Sequence, residues 1–332
     1  MSELLKPFPW FDERFAHLGQ LHDQNRLPHA LLIHGMPGIG KAAFATAFAQ
    51  SLLCQSPVQG RACGHCKSCD LNAAGSHPDL FILSPEEEGK QLKVDQVRGL
   101  GEFIYSTAQQ GGYRAVVVDP ADAMNVASAN ALLKMLEEPG SDTIILLVTS
   151  KMGQVLPTIK SRCQHIECHN PSETDAINWL MAAADNIDAE KAKSILHINR
   201  GAPKEALSYI EKGLNEHRAQ LIRGLADILK QRRTALEVAQ SWQKLDLEML
   251  LGWFYSLLSD AARGSVCQSP ELLRQDDARN MLNAVAKKTN PVKIFKLADK
   301  VHEERRAIML RQNPNKQLLL ENILLEWAAL LN

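Results

Sequence analysis

The 332-residue chain is 45% hydrophobic, enough apolar material for two or three domains, since single cores stop growing near roughly 250–300 residues and typical domains hold about 100–150. Its 37 basic and 38 acidic residues leave a net charge of −1, so no overall field draws in a polyanion, and any DNA contact has to be local or shared with partners. The opening residues lack a basic region followed by a long apolar run, and no uninterrupted apolar stretch reaches about 18 residues; neither a signal peptide nor a membrane span is expected, and the expected compartment is the cytoplasm.

In chain order, Ala30–His34 reads as a short apolar strand that runs into Gly35-Met-Pro-Gly-Ile-Gly-Lys-Ala42, and Lys41–Leu53 follows with the composition of a helix. Strand, glycine loop and helix are the setting of a phosphate-binding loop, G-x-x-x-x-G-K-[ST]. There the glycines let backbone N–H groups wrap phosphates, the lysine reaches the terminal phosphates, and the hydroxyl holds Mg²⁺. Gly35, Gly40 and Lys41 are present, but Ala42 stands where the hydroxyl belongs. A methyl group cannot ligate magnesium. Further strands are expected at Leu80–Leu83, Ala115–Val118 and Thr143–Val148, with helices at Val94–Tyr105 and Ala127–Leu136 between them. Continuous apolar runs of this kind are buried parallel strands covered by helices on both faces, so a doubly wound α/β domain extends to about residue 167.

After His169-Asn-Pro171 the strand signals end and helices are expected at roughly 172–184, 187–199, 203–211, 215–232, 245–263, 270–287, 291–311 and 315–331. The last carries Leu320, Ile323, Leu324, Trp327 and Leu331 on one stripe, which reads as intramolecular core in preference to a pure subunit interface. Gly201-Ala-Pro203 and Gly213 punctuate the region, dividing it near 210 into a small lid and a larger helical domain.

Of seven cysteines, four crowd into Cys54-x8-Cys63-Gly-His-Cys66-Lys-Ser-Cys69. The paired thiolates suit tetrahedral Zn²⁺, with Cys54 as fourth ligand and His65 a bystander; a closed four-sulfur shell is structural, not catalytic. A redox C-x-x-C is the competing reading, but it needs no further cysteine. Asp119 closes the strand ending at Val118, where nucleotide hydrolases keep an acidic pair: an Asp that assists Mg²⁺ and a Glu that polarises water. Pro120 occupies the Glu position, so the water-activating group is missing unless Asp122 substitutes for it; Asp119-Pro120 fits a plain strand-ending turn equally well. Thr149 and Ser150 end the next strand, a place from which a polar side chain can sense a γ-phosphate.

Several segments together resemble the clamp-loader branch of the AAA+ proteins: Leu27-Pro-His-Ala-Leu31, the four-cysteine module, Val94-Asp-Gln-Val-Arg98, Asn130–Pro139, Leu156–Cys163 and Asn315–Leu320. They follow the family's order across almost the whole chain. The resemblance implies an AAA+ phosphate-loop domain at 1–167 with a zinc-module insertion at about 54–69, a three-helix lid at 168–210 and a helical collar at 211–332. It also implies a hetero-oligomeric ring with delta and gamma or tau subunits that loads a sliding clamp onto primed DNA. Arg162, in Ser161-Arg-Cys163, matches the family's arginine finger, which acts in trans on a neighbour's ATP. Motor subunits of this family keep Thr after the loop Lys, Asp-Glu at the second motif and an arginine near residue 204, where this chain has Ala42, Pro120 and Lys204. The expectation is a subunit that hydrolyses no ATP itself while assisting a neighbour, with weak nucleotide binding through Lys41 left open. An active motor subunit and a zinc-dependent nucleic-acid module are the alternatives.

Overall fold

The computed structural model describes residues 4, 7–87, 89–269, 272–309 and 314–331. The chain forms two compact units, 1–175 and 176–332.

The first unit is built on five parallel strands in the order β2-β3-β4-β1-β5. They are β1 (Ala30–Gly35), β2 (Leu80–Leu83), β3 (Arg114–Val118), β4 (Thr143–Thr149) and β5 (Gln164–Cys168). Side chains alternate across a strand, so each apolar run feeds two cores. Leu31, Ile33, Ala115, Val117, Ile144, Leu146 and Val148 pack on one face with Phe15, Phe44 and Phe48 from α1 (Asp12–Asp23) and α2 (Lys41–Leu52). On the other face, Leu32, Val116, Val118, Ile145 and Leu147 meet Val97, Leu100, Leu132 and Ile159. These come from α4 (Val94–Tyr105), α5 (Val126–Glu137) and α6 (Pro157–Lys160), while α3 (Lys67–Ala73) begins at the end of the cysteine module and carries Cys69 in its first turn.

Several elements of this unit were not anticipated, among them the short helices α3 and α6. Helix α1 is another, and so is β5, which pairs with β1 from Leu31↔Gln164 to Gly35↔Cys168 yet buries only Ile166 and Cys168. As an edge strand it has no continuous apolar run to announce it.

The second unit is helical: α7 (Glu173–Ala183), which begins in the first unit, α8 (Ala189–Ile198), α9 (Pro203–Glu211), α10 (Asn215–Leu229), α11 (Ala235–Ser241), α12 (Leu247–Cys267), α13 (Arg279–Lys288), α14 (Pro291–Met309) and α15 (Lys316–Ala328). One hydrophobic cluster runs through it, from Leu196 and Tyr209 to Leu221, Trp253 and Trp327. The α15 stripe lies in this core: Trp327 donates its indole N–H to the Leu225 carbonyl at 3.0 Å and meets Phe254 edge-on. Helix α11 fills a stretch left without a helix by the sequence pattern, although Thr234 and Glu237 form a reciprocal capping box at its start. The helix expected from 270 starts only at Arg279, because Asp260 accepts the backbone N–H groups of Arg274 and Gln275 and holds that segment in a non-helical course. Residues 270–271 and 310–311 of the expected helices lie outside the described residues. Among the described residues, no helix is long and apolar enough to cross a membrane.

Candidate functional site

The glycine loop joins β1 to α2, with Gly40 at φ 96° as the residue preceding the helix. Lys41 is only 5% exposed. Its ammonium donates to the Met36 carbonyl at 2.6 Å and to the Ser150 hydroxyl at 2.8 Å, so the loop's cation is bonded to its own loop and to the end of β4. A Cβ built on Gly40 would fall 2.2 Å from the Phe8 ring. That ring stacks on Trp10 at 4.8 Å between centroids and 11° between planes, and the Trp10 indole donates to the Ile39 carbonyl at 3.0 Å. Two aromatic side chains from the start of the chain therefore cover the last glycine of the loop. Sequence reasoning missed both; the signal was the Pro7-Phe-Pro-Trp10 run, an unusual density of stiff and aromatic residues.

The groups that line the ends of β3 and β4 bond to one another. Asp122 accepts the hydroxyl of the fully buried Thr149 at 2.5 Å, and the Thr149 hydroxyl oxygen accepts the Lys151 N–H at 3.0 Å. The one carboxylate considered as a substitute for the missing Glu is thus hydrogen-bonded to the strand. The Asp119–Pro120 peptide is cis, and Pro120 offers no N–H. His34, beside the loop at the end of β1, has its pKa lowered by burial, with Glu167 opposing and Lys41 among the groups that assist.

The four cysteines converge. Their sulfurs all lie within 4.8 Å of one another, with Cys54–Cys69 at 3.7 Å, Cys54–Cys66 at 3.8 Å and Cys63–Cys69 at 3.9 Å. A tetrahedron with metal–sulfur bonds of about 2.3 Å has edges of about 3.8 Å, which these three separations match, so the cluster suits a tetrahedral metal ion. Backbone N–H groups of Cys63 and Gly64 donate to Cys54 Sγ and Cys69 Sγ at 3.2 and 3.3 Å, the kind of bond that supports thiolates around a metal. His65 turns its Nδ1 to the Cys63 carbonyl at 3.0 Å and is exposed, outside the sulfur shell.

Arg162 sits in the turn between α6 and β5, exposed. Its Nε donates to Glu137 Oε1 at 2.8 Å, its Nη2 lies 2.5 Å from the same oxygen, and its Nη1 donates to the Thr158 carbonyl at 2.9 Å. Lys204 lies in the second unit, exposed in the first turn of α9.

Residues 12–172 match the family described as DNA polymerase III, delta subunit, and residues 212–329 match DNA polymerase III, delta subunit, C terminal. The chain is 39% identical to DNA polymerase III subunit delta′ of Pseudomonas aeruginosa over 97% of its length and 98% of that protein's. It is 31% identical to the Escherichia coli subunit delta′ over 96% of this chain and 94% of that one. A gamma subunit-related protein of Thermotoga maritima shares the fold, with a TM-score of 0.50 at 20% identity over 96% of this chain and 99% of that one. With family matches over both units and a relative 39% identical along nearly its whole length, the chain belongs to the DNA polymerase III delta′ family, the clamp-loader subunits whose AAA+ fold it shares.

Proposed function

We propose that this clamp-loader subunit hydrolyses no ATP of its own and supplies Arg162 in trans to the ATP site of a neighbouring gamma or tau subunit. The observation that carries the first half is the Phe8 ring packed where a Gly40 side chain would be, beside a Lys41 that is bonded to Met36 and Ser150. Ala42 removes the magnesium ligand, Pro120 removes the water-activating carboxylate, and Asp122 is bonded to Thr149. An arginine delivered in trans stabilises charge on the transferring phosphoryl group without requiring any of those parts in its own chain.

In this reading the cysteine cluster holds one structural Zn²⁺; sulfur-only ligation favours zinc, and a complete shell leaves no position for a reactive water. The lid spans 168–210 and the collar 211–332, and the ring includes delta and gamma or tau subunits. Through that assembly the chain takes part in loading the sliding clamp onto primed DNA, in the cytoplasm, within the replicative polymerase holoenzyme. A near-neutral charge agrees with DNA contact made by the complex and not by this chain alone.

The test is reconstitution with gamma or tau, delta, clamp and primed DNA. Arg162→Ala should lower stimulated ATP turnover while leaving assembly intact; unchanged turnover refutes the finger. ATP turnover by the purified chain alone, abolished by Lys41→Ala, would establish the competing motor reading.

A further inference from the structure

We infer that Glu137 is the positioning residue for Arg162: it grips one edge of the guanidinium and leaves the opposite edge directed outward for a phosphate oxygen. This rests on the reading of Arg162 as a finger acting in trans.

An arginine side chain has five N–H donors in a fixed planar fork. Nε and Nη2 both point at Glu137 Oε1, at 2.8 and 2.5 Å, which occupies the side edge of the plane. Nη1 donates to the Thr158 carbonyl at 2.9 Å and leans on Ser161 Oγ at 3.5 Å, which occupies the other flank. Nε is bonded to Glu137, Nη2 lies against the same oxygen, and Nη1 is bonded to Thr158 and Ser161, which leaves the edge between the two terminal nitrogens for a further acceptor. That edge is the one able to take a phosphate oxygen through two parallel donors. This arrangement also decides between two roles for the carboxylate. A latch would occupy the terminal edge and have to be broken before the finger could act, whereas side-edge pairing persists while the terminal edge engages.

The backbone under Glu137 is itself anchored. It is the last residue of α5, and the carbonyls on either side are bonded: His29 Nε2 meets the Leu136 carbonyl at 2.9 Å, and the Tyr105 hydroxyl donates to the Glu138 carbonyl at 3.2 Å. A carboxylate at a helix C-terminus opposes the helix dipole, a placement that local helix energetics disfavour. Its cation partner comes from Arg162, 25 residues further along. A residue that works against its own helix while holding a functional group is what positioning requires. The pair is also largely exposed, with side chains 35% and 51% accessible, so it contributes little to folding and its removal should be felt in function.

The experiment uses the reconstituted complex with clamp and primed DNA, comparing Glu137→Ala, Glu137→Gln, Arg162→Ala and the Glu137→Ala, Arg162→Ala double variant. Misaligned reacting groups lose rate, so Glu137→Ala should lower kcat roughly threefold to tenfold with KM for ATP unchanged. Glu137→Gln keeps an oxygen acceptor at the same place and should recover part of that loss. In the double variant, Glu137→Ala should add nothing to Arg162→Ala, because its effect passes through the guanidinium. Normal turnover in Glu137→Ala beside impaired Arg162→Ala overturns the inference and leaves the finger standing. Faster turnover in Glu137→Ala overturns it in favour of a latch. A further loss in the double variant overturns it in favour of a structural role. If Arg162→Ala is itself without effect, the finger and its positioning residue fall together.

Discussion

Replacing Phe8 with Ala should open the glycine loop to nucleotide. In the native chain the ring is half-buried, fills the space over Gly40 and stacks on Trp10 at 4.8 Å. Burying half of a phenylalanine contributes about 1 kcal/mol, taking roughly half of the value for a fully buried ring. The aromatic pair adds about 1 kcal/mol beyond area. Any nucleotide that needs this space must displace the ring, so its apparent affinity is weakened by about 2 kcal/mol, or roughly 30-fold. Titration of a fluorescent ADP analogue against the isolated chain should therefore show Phe8→Ala binding roughly 30-fold tighter than the native chain. Because Ala42 carries no hydroxyl, the gain should be the same in magnesium and in EDTA. Adding Lys41→Ala to Phe8→Ala should abolish it, which ties the new binding to the loop. If native and Phe8→Ala chains bind the analogue equally, the ring does not obstruct the loop and the reasoning fails.

Metal analysis of the reduced chain should give about one zinc, and Cys69→Ser should lower both zinc content and melting temperature; an unaltered melting temperature would remove the structural role. Trp327→Ala should cost about 3–5 kcal/mol in chemical denaturation, since it empties the α15 core position and removes the indole's hydrogen bond to the Leu225 carbonyl. Gly35→Ala should cost about 3 kcal/mol, because the new Cβ would stand 2.2 Å from the Cys168 carbonyl oxygen, a backbone atom that cannot swing aside. His77 is 5% exposed and its pKa is lowered, by burial first, with Asp79 opposing; its Nδ1 accepts the Asp79 N–H at 3.1 Å, which only the neutral ring can do. A histidine depressed in the folded state stabilises above its unfolded pKa of about 6.5 and loses that contribution as pH falls below it. Stability measured from pH 7 to pH 5 should thus decline less in His77→Asn, which retains an acceptor near the Nδ1 position, than in the native chain.

What the sequence revealed divides along physical lines. β3 and β4 were legible because both of their faces are buried, which forces runs such as Ala115–Val118 and Ile144–Val148 to be apolar throughout. β5 was not, because an edge strand with exposed Gln164, His165 and Glu167 carries no such run. The cysteine cluster was legible because its ligands lie within 16 consecutive residues and sulfur has few other reasons to recur at that spacing. Phe8 over Gly40 and Glu137 against Arg162 join residues 32 and 25 apart, and neither partner's type demands the other. Such contacts are set by tertiary packing and leave no periodic trace. The overlooked capping box at Thr234 is a different case: its signal was local and present.

A loop that has lost its magnesium ligand still retains its glycines, and the first of them has a purpose that owes nothing to phosphate. Gly35 pairs with Cys168 in the β1–β5 register, and the Cys168 carbonyl approaches so closely that a Cβ at 35 would lie 2.2 Å away. That approach seats β5 on β1. β5 begins at Gln164, two residues after Arg162, so the strand that Gly35 admits also fixes one end of the turn carrying the guanidinium. The other end is fixed by α6, whose Thr158 carbonyl accepts from Arg162 itself. Selection for the placement of Arg162 would therefore preserve Gly35 even where nucleotide binding had no further value. Ala42 bears on no such contact of the β1–β5 pairing, and nothing in that geometry would have preserved a hydroxyl there.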